Sequence, residues 1–261
     1  MHPVEPKVFL IGESRILTED FVEYLEGVGV ADWDTDAPSD SEKIIEFMGR
    51  LCYRSFVLGL NPNVTKIREG NDEYIANLTS VKHGSVLEHV TFNFVFADVS
   101  RVFTHELVRH RAGVAISQES LRFVRLTDIG LMMPSVFAND PEVVERCSKY
   151  VEEGEELQRW LAEHFGLDNP GTKFSFKKKV TSAMRRFAPI GLATSIGWSA
   201  NARALRWVLE ARTDPGAEEE IRLVFGKVGE IVCTKYPNIF RDFKSEIVDG
   251  FPCYKPDNSK V

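Results

Sequence analysis

Residues 88–113 read EHVTFNFVFADVSRVFTHELVRHRAG, and the change of period inside this stretch decides the fold. From Glu88 to Val99 the side chains alternate, with Phe92, Phe94 and Phe96 pointing one way and His89, Thr91 and Asn93 the other. That pattern predicts a strand with an aromatic core face and a polar face. Ser100 can then cap a helix carrying Val102, Phe103 and Leu107, and Gly113 suits the left-handed turn expected to end it. A half-buried strand feeding a helix predicts an α/β fold.

Working outward, KVFLIGES reads as a short buried strand ending at Gly12, where a lone glycine is only a weak nucleotide signal. DWDTDAPSD (32–40) opens like a calcium loop. Its sixth position is Ala37 where the turn needs Gly, and its twelfth is Lys43 where the metal needs a carboxylate. It reads instead as an acidic loop capping a helix over SEKIIEFMGRLCYRSF. Asp140-Pro141 opens an amphipathic helix to about Phe165, with Val143, Val144, Tyr150, Val151, Leu157 and Leu161 among its apolar residues. GLDNPGT (166–172) breaks the chain, and FKKKVTSAMRRFAP is a further helix stopped before Pro189. From Ser199 onward two more helices are expected, divided around Asp214-Pro215-Gly216. With no repeat, low-complexity tract or obvious linker, the 261 residues read as one α/β domain in which helices dominate.

The composition narrows the class. A net charge of −7 argues against a general nucleic-acid or membrane-surface binder, so any anion site must be local. Cys52, Cys147, Cys233 and Cys253 are scattered without a CxxC, which suggests reduced thiols in a soluble, cytoplasmic protein. The opening MHPVEPKVFLIGES lacks the basic start of a signal peptide, and no apolar run reaches bilayer length.

Arg109, His110 and Arg111 in a row, followed by Ser117, Gln118, Glu119, Ser120 and Arg122, call for an anionic partner. Capping of a helix C-terminus accounts for the first three residues but not for the polar run after them. Consecutive helical residues diverge by roughly 100°, so either the helix frays here or the three side chains serve different partners, including across a subunit boundary. HELVRH is not a zinc site, because His105 and His110 are five apart where one helix face requires four. His83 and His89 lack a completing Cys or carboxylate cluster, so no metal site is expected. Lys177, Lys178 and Lys179 read as a solvated basic face, and Arg185 and Arg186 stand at the end of the same helix. Asn201, Leu205, Val208 and Arg212 step by four, three and four, which places an amide and a guanidinium on one helix face. Capping of the helix end explains Arg212 equally well.

Together these pieces resemble the flavin-dependent thymidylate synthases. That family carries R-H-R, then seven or eight residues, then Ser; here eight residues separate Arg111 from Ser120, and Arg122 also matches. EHVTF resembles the family's Glu-His-x-Thr-Phe, and Asn201-x-Arg203 with Arg212, followed by DPGAEEEIR, resembles a third signature. The match runs from about Cys52 to Arg222 in the expected order. The resemblance implies a single domain over 1–261, an antiparallel sheet flanked by helices, assembled as a homotetramer with sites shared between subunits. It implies reductive methylation of dUMP to dTMP, with 5,10-methylenetetrahydrofolate as carbon donor, NADPH as reductant and FAD as mediator.

Residue by residue, the resemblance puts Ser55, His89, Thr91, Arg109, His110, Arg111, Ala112, Gln118, Asn201, Arg203 and Trp207 against FAD. It puts Glu106, Arg109, Gln118, Glu119, Ser120, Leu121, Arg122, Arg185 and Arg212 against the nucleotide, with Arg185 on its phosphate and Arg212 on the uracil as the catalytic cation. Two positions depart from the family pattern. Glu106 stands where many relatives have Gln, so it either binds nucleotide or pairs with an Arg; Trp207 replaces an Asn or His and either stacks on a ring or packs. A cysteine-dependent thymidylate synthase is excluded, because the only Pro-Cys, Pro252-Cys253, lacks the following His. The non-enzymatic alternative is a nucleotide- or RNA-binding module using the same arginines, and the acidic total charge counts against it.

Overall fold

A computed structural model describes all of residues 1–261. In chain order the elements are β1 (His2–Pro3), β2 (Lys7–Glu13), α1 (Thr18–Gly27), α2 (Asp40–Tyr53), α3 (Asn71–Ser80), β3 (Thr91–Ser100), α4 (Arg101–Leu107), β4 (Val114–Gln118) and β5 (Gly130–Leu131). There follow α5 (Ser135–Ala138), α6 (Pro141–His164), α7 (Phe174–Met184), β6 (Ala193–Asn201), α8 (Ala202–Arg212), α9 (Glu219–Lys235), β7 (Phe243–Val248) and β8 (Phe251–Pro256). The main sheet has the order β2-β3-β6-β4. Its neighbours run antiparallel. Gly12 lies against Asn93 while Lys7 bonds Asp98. Asn93 bonds Ser199 while the Ala202 N–H bonds the Val90 carbonyl. The Glu119 N–H meets the Ser195 carbonyl while the Asn201 N–H meets that of Gly113. The mixed α/β class with an antiparallel sheet and helices is therefore as expected.

The chain divides into two compact units, taken in turn. The first comprises residues 1–9, 95–109 and 116–197. Ser100 caps α4 as predicted, accepting from the Phe103 N–H at 3.1 Å, and Phe103 packs edge-on against Phe96. Asp140 caps α6 by accepting from the Glu142 and Val143 N–H groups. The buried stripe of α6 is Val151, Glu155, Gln158 and Ala162, at helical spacing. Tyr150 and Leu157, expected on its apolar face, are exposed. The polar members of the stripe are satisfied: Glu155 accepts from the Ile129 N–H at 2.6 Å, and Gln158 donates to the Met184 carbonyl at 3.1 Å. Val151 joins Leu121, Leu126, Ile129 and Leu192 in one core cluster. The helix read from Phe176 starts at Phe174 and ends at Met184, after which Arg185, Arg186 and Phe187 form a 3-10 turn.

The second unit comprises residues 10–94, 110–115 and 198–261. Phe92 and Phe94 are buried as the alternation predicts, against Tyr236 and Trp198. The helix expected up to Phe56 ends at Tyr53, where Arg54 takes a left-handed conformation. Glu46 and Arg50 form a buried ion pair inside α2. Asn71 and Thr35 complete the Glu46 carboxylate, and Arg50 donates to the carbonyls of Ser55 and Arg68. The acidic loop thus serves structure, with Asp36 accepting from the Asn71 N–H. At the other end of the chain, β7 and β8 form an antiparallel hairpin from Phe243↔Pro256 to Val248↔Phe251.

Three expectations are corrected. The strand KVFLIGE lies at the sheet edge, and Phe9 and Ile11, on one face of it by period two, are exposed rather than buried. Glu88 and His89 belong to a 3-10 turn, Gly84–His89, so His89 does not share a strand face with Thr91. The stretch 199–201 ends strand β6, whose alternating Thr194, Ile196, Trp198 and Ala200 are buried. Small residues on its other face hid that period in the sequence.

Phe92 is fully buried and Ile11 is 66% exposed. Phe92→Ala should therefore lower the unfolding free energy by about 3–5 kcal/mol, whereas Ile11→Ala should stay within about 0.5 kcal/mol. Equilibrium denaturant titration of both variants checks the contrast.

Candidate active site

The helix carrying HELVRH stops before its basic triplet. Leu107 is the last residue of α4; the Val108 and Arg109 N–H groups close the turn on the carbonyls of Thr104 and Glu106. Gly113 does not end the helix. It turns the chain into β4 with φ +70°, and its carbonyl accepts the Asn201 N–H at 2.9 Å. A methyl group on Gly113 would lie 2.5 Å from the Asn201 amide nitrogen, so both its backbone angle and its neighbour require glycine. Arg109, His110 and Arg111 are thus displayed on a turn, where the angular constraint of a regular helix does not apply. Arg109, Arg111 and Ala112 are exposed, and His110 is half-buried.

In the second unit, His110 meets the end of α8. The Nε–H of Arg212, the last residue of that helix, donates to His110 Nε2 at 2.7 Å. Nε2 must then carry its lone pair, leaving the ring proton on Nδ1. Burial, and then the adjacent guanidinium, push the His110 pKa down from 6.5 to about 4. The imidazole is neutral at physiological pH and orients a permanent cation. Asn201 is the cap of α8, accepting from the Ala204 N–H at 2.8 Å, and so lies at the helix mouth with Arg212 at its far end. Leu205 and Val208, between them, are buried. Arg203 pairs with Glu88 at 2.6 Å, next to the exposed His89, and Trp207 stands 45% exposed on the same helix. The Thr91 N–H donates to Ser14 Oγ, and Ser55 lies in the loop held by Arg50.

In the first unit, the polar run folds onto its own sheet. Gln118 donates to Thr104 Oγ1 at 2.9 Å. The Glu119 carboxylate accepts from the Ser195 N–H and the Thr194 hydroxyl, both at 3.3 Å. Ser120 starts a turn in which its carbonyl accepts the Phe123 N–H, and Arg122 is exposed. Leu121 turns its side chain into the core cluster, away from the polar residues around it in sequence. Glu106 is half-buried on α4.

The sequence reading missed one residue, Arg101. Its Nη2 donates to the Glu119 carbonyl at 3.0 Å, while its buried Nε has no partner. Burial lowers its pKa; Glu119 opposes that shift and nearby Arg185 reinforces it. An unsatisfied donor on a guanidinium close to a second one is a local demand for an anion. The only sequence cue was an arginine just after a helix cap, where an acidic residue is favoured.

Because the unfolded imidazole takes a proton near 6.5 and the folded one only near 4, His110 lowers stability as pH falls through that window and has no such effect above it. Imidazole NMR titration should place the His110 pKa near 4, and Arg212→Met should raise it only part of the way to 6.5, since burial is the larger cause. An unmoved value in that variant would contradict the pairing.

The profile of the family described as Thymidylate synthase complementing protein matches residues 35–238. A flavin-dependent thymidylate synthase of Corynebacterium diphtheriae is 34% identical over 225 residues, covering 84% of this chain and 86% of that one. One from Mycobacteroides abscessus is 34% identical over 228 residues, with the same coverage of both chains. In structure, the chain is similar to Thymidylate Synthase X (ThyX) of Helicobacter pylori, crystallised with FAD and dUMP. The TM-score is 0.58 at 19% identity, over 91% of this chain and 98% of that one, which speaks for the fold. No helix here is long and apolar enough to cross a membrane. On the family profile and these relatives, the chain belongs to the flavin-dependent thymidylate synthase family.

Proposed function

We propose that residues 1–261 act as one domain catalysing the reductive methylation of dUMP to dTMP, with 5,10-methylenetetrahydrofolate as carbon donor and NADPH as reductant. The observation that carries the proposal is the Arg212–His110 hydrogen bond, which fixes a guanidinium at the end of α8 against the imidazole of the R-H-R motif.

The donor set fits a flavin dinucleotide. Arg109 and Arg111 on the turn, with Arg203 on α8, supply cations for a pyrophosphate. His110, Ala112, Asn201, Ser55, His89, Thr91, Gln118 and Trp207 complete the proposed flavin-holding set. FAD, when bound, supplies the relay of reducing equivalents from NADPH to the carbon being transferred. The nucleotide is assigned to Arg109, Glu106, Gln118, Glu119, Ser120, Leu121, Arg122, Arg185 and Arg212. Arg101 joins this set, because its buried Nε lacks a partner and Arg185 is nearby.

Arg212 is proposed to lie against the uracil and favour its N3-deprotonated, electron-rich form. A permanent cation beside developing negative charge stabilises that form over the neutral ring. His110 contributes by remaining neutral, so that it accepts from Arg212 instead of repelling it. A homotetramer with sites shared between subunits is part of the same proposal, as is a cytoplasmic location with neither nucleic acid nor membrane as partner.

Arg212→Ala should reduce thymidylate formation by about 10²-fold or more while flavin absorbance of the purified protein persists; equal loss of flavin would contradict its role. Arg109→Ala should weaken flavin and dUMP binding together, read by fluorescence titration and calorimetry. Unchanged affinity for both would remove Arg109 from the site. A binding module without catalysis would bind dUMP yet take up no FAD and form no thymidylate.

A further inference from the structure

Arg203 is held on more than one side. Its Nη1 pairs with Glu88 Oε1 at 2.6 Å, but both side chains are more than 40% exposed, and such a pair alone is weak and mobile. Beside it, the segment Asp257–Val261 is fastened to α8 and to Asp242. The Asp257 and Asn258 N–H groups donate to the carbonyl and the carboxylate of Asp242, at 2.9 and 3.1 Å. The Asn258 carbonyl accepts from Arg206 Nη2 at 3.4 Å, and Arg206 itself grips Asp242 with two bonds of 2.7 and 2.9 Å. Ser259 donates to the Glu210 carboxylate at 2.8 Å. Val261 is buried, 5% exposed. A methyl group on Gly84 would lie 2.5 Å from the Val261 main-chain carbon and 2.9 Å from Arg203 Nε, so the Gly84 backbone abuts both residues. Residues 203, 206 and 210 are spaced by three and four, on one face of α8. The segment runs along that face and ends against the turn Gly84–His89.

We propose that Asp257–Val261 is a positioning strap for the flavin side of the site: it ties α8 to the turn Gly84–His89 and so fixes the Arg203–Glu88 pair. The proposal rests on the reading of Arg203 as a flavin-binding residue. None of the strap residues is among those assigned to the flavin or the nucleotide. Its effect therefore belongs in cofactor affinity, not in the rate of the loaded enzyme. Gly84 is part of the device, since a side chain there would collide with both Val261 and Arg203.

The test compares the chain shortened after Asn258, Ser259→Ala, Arg203→Ala, and the shortened chain carrying Arg203→Ala. Each is titrated with FAD by fluorescence and assayed at saturating FAD. Shortening should raise the Kd for FAD about tenfold, and Ser259→Ala about threefold, with the dUMP KM and the kcat of the FAD-saturated enzyme within about twofold of wild type. In the Arg203→Ala background, shortening should add nothing, because the strap acts through that side chain. Unchanged FAD affinity in both strap variants overturns the strap, as does an undiminished loss in the Arg203→Ala background. If Arg203→Ala itself leaves FAD affinity unchanged, the reading of Arg203 falls and takes the strap's purpose with it, a result distinguishable from the other two. Should the shortened chain fail to fold, Ser259→Ala and its combination with Arg203→Ala decide the matter.

Discussion

A neutral imidazole accepting a hydrogen bond from a permanent cation is the interaction on which this account depends. His110 and Arg212 are separated by 102 positions, yet the Arg212 Nε–H lies 2.7 Å from His110 Nε2. A protonated imidazole there would face the guanidinium with like charge, so burial and repulsion both keep the ring neutral. The consequence is directional. One edge of the guanidinium is committed to the protein, and its charge is carried on a fixed helix end instead of a mobile surface side chain.

The backbone makes that arrangement possible through one early stop. Had α4 continued to Gly113, its basic triplet would have fanned around a cylinder, each residue roughly 100° from the next. Stopping at Leu107 frees the triplet, and the bond between the Gly113 carbonyl and the Asn201 N–H fastens the turn to the start of α8. Asn201 takes part in three ways: its N–H holds the turn, its side chain caps the helix, and its amide fills the space that a Gly113 side chain would need. The opposite end of α8 then presents Arg212 to the same turn. A strand-end contact and a helix-end contact fix the segment from His110 to Gly113.

Much of the framework was legible because it rests on local chemistry. The Ser100 and Asp140 caps, the phenylalanine alternation of β3 and the breaks around Gly166 and Pro189 each declare themselves within a few residues. What escaped the sequence reading depends on distant partners. Strand β6 alternates, but its outward residues are Ala, Ser and Gly, which also suit loops and helix caps. Helices α1 and α3 and the β7–β8 hairpin have mixed surfaces whose burial is decided elsewhere in the fold. The helix end was misplaced because glycine advertises a left-handed turn without saying which element precedes it. In the site, His110 and Arg212 could each be named, but not their contact; Arg101 could not be named at all, since Glu119 and Arg185 give it meaning only after folding. Leu121, set among polar candidates, sends its side chain to the core.

The central claim is that these cations serve chemistry at a pyrimidine ring and not simple retention of a nucleotide. Tritium release from dUMP labelled at C5 tests it most directly, since that hydrogen leaves only if the ring is activated at that carbon. The account predicts release to solvent that requires FAD and NADPH and is lost when either is omitted. Binding of labelled dUMP without any release in the complete mixture, or release indifferent to FAD, would contradict it.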